Sequence, residues 1–150
     1  MKKTLIVSFI LFCLGSAGAY ATGNHSHTAI GEPGVQKNIT RTIRLEVYEY
    51  RFSPSEINIK QGETIRFIVK NTGNKKHEMM IDTIQHLREH EKMMRQHDHG
   101  AHAEHNQIIL EPGDEKELIW HFTQTGTIDF ACPIPGHLKG MRGKIIVESK

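Results

Sequence analysis

The stretch Ala131-Cys132-Pro133-Ile134-Pro135-Gly136-His137-Leu138-Lys139-Gly140-Met141 places a thiol, an imidazole and a thioether in one short loop. Thiolate and thioether sulfurs favour copper, and imidazole suits both copper and zinc. Two histidines and a cysteine in a trigonal plane, with a weak axial methionine, make a ligand set suited to one-electron copper chemistry. The loop supplies three of these four, so one further histidine must come from elsewhere. His77 is the candidate, because it follows the strand-like Ile65 to Val69 and the turn Asn71-Thr72-Gly73-Asn74. A lone buried cysteine would be read as structural. The ordered Cys132, His137 and Met141 between two strand-like runs, Thr127 to Phe130 and Lys144 to Val147, point instead to a metal. Zinc is a poor fit, since it rarely takes a thioether.

These elements predict an all-β protein. Ile43, Leu45 and Val47 alternate with Arg44 and Glu46, as in a half-buried strand. Ser53-Pro54 breaks that run; Ile57 and Ile59 begin another, and Ile65, Phe67 and Val69 alternate after the turn at Gln61-Gly62-Glu63. Gln107 to Leu110 is strand-like, and Glu111-Pro112-Gly113-Asp114 is a turn. Leu118, Trp120 and Phe122 form an apolar stripe with His121 opposite, which reads Trp120 as core and His121 as surface. Short strands at this spacing predict a single-domain β-sandwich.

The spacing Cys-x4-His-x3-Met resembles that of azurins, and Pro135-Gly136-His137 matches the azurin-type loop residue for residue. With Phe52-Ser53-Pro54 and Lys76-His77-Glu78-Met79-Met80, the chain resembles the cupredoxins, and within them the periplasmic copper-tolerance proteins, over Arg41 to Val147 with one insert. The resemblance implies a Greek-key sandwich and one type 1 copper held by His77, Cys132, His137 and Met141. It also implies that the N–H groups of Glu78 and Ile134 donate to the Cys132 sulfur. Pro135, Gly136 and Leu138 are expected to surround an exposed His137 with small or apolar surface, where a redox partner such as a cytochrome or a copper oxidase would dock. Three positions depart from azurin. Lys76 stands for a glycine, Glu78 for an asparagine, and Pro133 for a threonine or serine, with one backbone donor fewer.

Length and composition set the frame for this site. The 150 residues suit one domain. Met1-Lys2-Lys3, the apolar Leu5 to Leu14 and Ala19-Tyr20-Ala21 read as an export signal over residues 1–21, with an apolar run too short to span a bilayer. Cleavage there removes two of 19 basic residues and none of the 17 acidic ones, leaving a neutral chain with no basic field for nucleic acid. It also leaves Cys132 as the single cysteine, so no internal disulfide is expected. Residues 22–39, with His25-Ser26-His27, read as a flexible leader, and residues 40–150 as the domain.

The insert, residues 82–106, carries most of the histidines. On a helix His86, His90, Met93 and His97 fall within about 60° of one another. Ile84, Leu87 and Met94 form an apolar face able to dock on the sandwich, and His99, His102 and His105 follow. Two readings stand: a solvated amphipathic helix, or accessory copper binding by a His- and Met-rich tract. Being exposed, the insert is expected to be removable from Gln85 to His105 without disturbing the main site.

Three function classes compete. A periplasmic copper-tolerance protein uses both the main site and the insert, whereas a dedicated electron carrier leaves the insert idle. An enzyme such as a multicopper oxidase needs a second domain and His-x-His pairs on strands, so no enzyme is expected beyond a question over cuprous ion oxidation. One spectroscopic consequence follows from Lys76. Without the glycine, the copper should be four-coordinate and drawn toward Met141, giving a more tetragonal, green site. Visible and EPR spectra of the copper-loaded protein check this, and a near-axial signal with a dominant red band would overturn it.

Overall fold

The computed structural model describes residues 30–96 and 104–150. The export signal, the first part of the leader with His25 and His27, and His97, His99 and His102 lie outside the described residues. Ten strands are described: β1 Gly31–Pro33, β2 Arg41–Tyr48, β3 Arg51–Ser53, β4 Glu56–Lys60, β5 Thr64–Asn71, β6 His77–Asp82, β7 Gln107–Leu110, β8 Glu115–Phe122, β9 Gly126–Ala131 and β10 Arg142–Glu148. One α-helix among the described residues, α1, spans Ile84–Gln96, and a single 3-10 turn covers Gln36–Asn38. The strands form two five-stranded sheets, ordered β1-β8-β5-β2-β3 and β4-β10-β9-β6-β7. The β2–β5 and β10–β4 pairs are parallel and the rest antiparallel. None of the described helices is long and apolar enough to cross a membrane.

Alternation builds the core. Ile65, Phe67 and Val69 of β5, Leu45 and Val47 of β2, and Leu118, Trp120 and Phe122 of β8 point inward from one sheet. Ile57, Ile59, Met79, Ile81, Ile128, Phe130, Ile145 and Val147 meet them from the other. At Gly143 an added Cβ would run into the Phe130 ring and the Ser55 carbonyl, so the absent side chain lets β10 close against its neighbours.

Two elements differ from the sequence reading. The leader does not run to residue 39 without structure: Gly31, Glu32 and Pro33 pair with Phe122, His121 and Trp120, and Ile30 is buried. Backbone pairing to an edge strand needs no apolar alternation in the added segment, so composition gave no sign of it. His121 accordingly lies beside this strand, its Nδ1 3.2 Å from Glu32 Oε1. The second element is β6, all six of whose residues are buried. Met79 and Ile81 face the sandwich core, while Met80 joins Leu87, Ala131 and Leu138 in a second apolar cluster beneath α1. A strand covered on both faces loses the period-2 signature.

The insert is helical from Ile84, and its base is clasped. Asn106 Nδ2 donates to the Ile81 carbonyl at 2.9 Å and to Asp82 Oδ2 at 3.2 Å, and Ile81 N–H donates to the Asn106 carbonyl. Thr83 Oγ1 accepts from His86 N–H, a side-chain cap on the first turn. Leu87 is wholly buried and anchors the helix to the sheet. Leu87→Ala should cost about 2–5 kcal/mol, concentrated in α1. Hydrogen exchange checks this, with α1 amides losing protection while the β5 and β8 amides keep theirs.

Candidate metal centre

β6 and the β9–β10 connection build the site. Arg142 pairs with Ala131, so the intervening residues are closed into a loop at its base. Inside it Cys132 N–H donates to the Met141 carbonyl at 3.0 Å, Met141 N–H to the His137 carbonyl at 2.9 Å, and His137 N–H to the Ile134 carbonyl at 2.9 Å. Gly136 sits at φ 92°, a left-handed conformation that a side chain would strain. This network folds the loop back so that Cys132 and His137 stand together, with the backbone of Met141 bonded to both.

His77, Cys132 and His137 each offer a ligand atom, and these three atoms lie within 4.8 Å of one another. Cys132 Sγ is 3.4 Å from His137 Nδ1. His77 and Cys132 are wholly buried, and neither ring nitrogen of His77 has a hydrogen-bond partner among the described residues. Met141, also wholly buried, is tied to both Cys132 and His137 through the loop backbone. A buried imidazole with two unused nitrogens beside a thiol is costly unless something binds them. The donor set fits a soft, thiolate-seeking metal such as copper.

Burial sets the protonation of each donor. Desolvation lowers the His77 pKa, opposed by the Glu49 carboxylate, and lowers that of His137 as well, reinforced there by His77 and Lys75. Both imidazoles are thereby held neutral, the form that ligates. Desolvation pushes the Cys132 thiol up to about 12, against the opposing N–H donors of Glu78 and Ile134. Glu78 N–H lies 3.3 Å from Cys132 Sγ. The metal-free sulfur is therefore a thiol at neutral pH, and loading a metal must release its proton. The Glu78 carboxyl is itself buried and pushed up to about 6 by desolvation, only partly relieved by Lys76.

Several contacts around the site have no counterpart in sequence spacing. Glu49 Oε1 stands 3.6 Å from His77 Nε2, and also accepts from the N–H groups of Asn74 and Lys75. Tyr50 packs edge-on against His137, with ring centroids 4.6 Å apart. Both come from the turn between β2 and β3. Leu138, expected at the exposed rim, is buried in the cluster beneath α1, and His137 is half-buried. Gly136 N–H donates to Glu91 Oε1 of α1 at 3.0 Å. The insert is thus hydrogen-bonded to the loop carrying His137, a contact that sequence spacing did not indicate.

The insert histidines divide. His86 and His90 line one cavity together with Met93, while His90, expected on an exposed face, is buried. Met93 is half-exposed, and His105 is exposed at the far end of the insert. The bond to Gly136 and the Leu87–Leu138 cluster turn the helix so that His90 faces inward.

The fold and site define a mononuclear metal-binding β-sandwich, and comparison with known proteins gives it a family. The cupredoxin-like domain model matches residues 5–147, and the chain belongs to that family. It is 37% identical to the copper-resistant cuproprotein CopI of Rubrivivax gelatinosus over 136 residues, covering 89% of this chain and 82% of that protein. It is 32% identical to the copper-resistant cuproprotein CopI of Pseudomonas aeruginosa over 178 aligned positions, covering 99% and 96%. The fold is similar to that of auracyanin from Roseiflexus castenholzii, with a TM-score of 0.63 at 21% identity over 73% of this chain and 98% of the other.

Glu78 makes the stability of the metal-free protein depend on pH. An unfolded carboxyl ionises near 4.5 and the folded one near 6. The unfolded state therefore sheds its proton first, and stability falls as pH rises through that window, by about 2 kcal/mol. Glu78→Gln should remove this fall and be the more stable protein at pH 7. Urea denaturation of both proteins at pH 4 and pH 7 checks it. The difference between them isolates Glu78 from His77 and His137, whose lowered values act in the opposite direction.

Proposed function

We propose that this protein is an exported, periplasmic cupredoxin of copper tolerance, with one redox-active copper held by His77, Cys132, His137 and Met141 and accessory copper binding in the helical insert. The observation that carries the reading is the buried His77–Cys132–His137 cluster, closed by the loop that holds Met141. The naming of the relatives as copper-resistant cuproproteins supports the tolerance role. The export signal read from residues 1–21 supports the compartment.

Bound there, copper would supply a one-electron Cu(II)/Cu(I) couple. The protein's part is to hold its donors still. Cys132 yields its proton and receives the N–H groups of Glu78 and Ile134 on its sulfur. His77 is positioned between the core and Glu49, and His137 between Tyr50 and the loop. Since each donor is fixed by backbone bonds or packing, little needs to rearrange when the charge of the site changes. Enzymatic turnover is not part of this reading.

An electron-carrier role for the same copper is favoured by one feature. Arg88, Lys139 and Arg142, with Arg95 paired to Glu91, line a groove of about 440 Å³ beside Gly136, a net cationic rim suited to an acidic redox protein. Growth of a deletion strain on graded copper separates the roles. Selective copper sensitivity supports tolerance, and a respiratory defect at low copper supports electron carriage. For the site itself, one equivalent of Cu(II) should give an intense visible thiolate-to-copper band. Cys132→Ser should abolish that band, while Met141→Leu should keep it and shift the potential. Retention of the full band in Cys132→Ser would sink the ligand assignment.

A further inference from the structure

A second cluster of donors lies at the other end of β6. Asp82, His86, His90 and Glu104, with the methionines Met80 and Met93, line a cavity of about 180 Å³ between α1, the strand end and the chain entering β7. His77 and Asp82 terminate the same strand, five residues apart, which places this cavity on the order of 16 Å from the main cluster. His90 is 5% exposed, and neither of its ring nitrogens has a hydrogen-bond partner among the described residues. Glu104 Oε1 stands 3.9 Å from its Nδ1, beyond hydrogen-bond reach. A buried imidazole left in this state costs on the order of 1–3 kcal/mol, and a ligand that engages it recovers that cost.

We propose that this cavity is a second copper site, with His86, His90 and Glu104 as ligands and Asp82 as the residue that orients His86. The proposal rests on the reading that the insert binds copper, and it says where and through which side chains. Asp82 Oδ1 lies 3.1 Å from His86 Nδ1 and also accepts from Thr83 N–H, so the carboxylate fixes the ring and makes Nε2 the ligating nitrogen. Asn106 Nδ2 donates to the other oxygen, Oδ2, holding Asp82 in place. The Glu104 side chain is 31% exposed and is the arm free to close on the ion. Imidazole and carboxylate without thiolate form a nitrogen–oxygen set, for which Cu(II) stands at the top of the divalent affinity order. Two thioethers also line the cavity, that of the buried Met80 and that of Met93, which is 52% exposed at the rim.

The test uses mature protein whose coloured site has first been saturated with copper, so that its band reports an intact fold throughout. Further Cu(II) is added, loosely held metal is removed by desalting, and retained copper is counted by elemental analysis with EPR. The parent should retain a second copper with a tetragonal nitrogen–oxygen signal, and the thiolate band should not change. His86→Gln and His90→Gln should each weaken that second copper by at least about 100-fold, more than loss of an orienting partner costs. Replacing His97, His99, His102 and His105 together by Gln should leave it in place. If the fourfold variant loses the second copper while His86→Gln and His90→Gln keep it, the cavity is not the site, although the insert still binds copper. Loss in all three variants also overturns the cavity assignment, because binding is then spread over the insert. A parent that retains no second copper overturns both the cavity and the accessory role.

Discussion

The constraint on which this structure depends is a sulfur buried out of reach of water. Cys132 sits wholly inside the sandwich, and its thiol is pushed to about 12 because the thiolate has lost its solvent. Two backbone N–H donors offset only part of that loss. An ion brought to the His77–Cys132–His137 cluster supplies the missing charge, so metal affinity and protein stability are one quantity here. The surrounding elements serve this arrangement. β9 delivers the cysteine, β10 closes the loop behind Met141, and β6 brings His77 and the Glu78 N–H to the sulfur from the neighbouring strand.

The buried Glu78 carboxyl is costly for the same reason and lies beside the same sulfur. Its charge raises the Cys132 pKa, and burial raises its own. A carboxylate this close to the ligand cluster favours whichever state of the site carries more positive charge, because in a low dielectric the pair attracts strongly. The asparagine that stands at this position in azurins carries no such charge. The position following the first histidine is therefore an electrostatic lever on this centre, acting through a side chain that touches no solvent.

The helical insert belongs to the centre mechanically. Leu87 and Leu138 share an apolar cluster, and Glu91 accepts the N–H of Gly136 one residue before His137. Those contacts turn α1 so that His90 faces inward toward Asp82 and Glu104 rather than outward to solvent. β6 then runs from the main cluster at His77 to the second group of donors at Asp82. Its full burial between the sandwich core and the helix makes it a rigid strut between the two.

Much of this was legible in the chain itself. Local spacing decided the Cys132, His137 and Met141 loop, because three donors in one short segment can reach a common point whatever surrounds them. Alternation decided β2, β4, β5, β8, β9 and β10, because each buries one face, and helical periodicity decided α1. The tertiary structure alone decided what depends on distance in space rather than in sequence. β6 escaped because burial on both faces erases alternation, and β1 because edge pairing through backbone requires no apolar residues. Glu49 and Tyr50 reach the histidines from a turn with no spacing relation to them. Asp82 and Glu104 complete a cavity with His86 and His90 only once the insert is clasped at Asn106 and docked through Leu87. Periodicity records which face of an element is buried. Which donors from different elements then meet is set by packing.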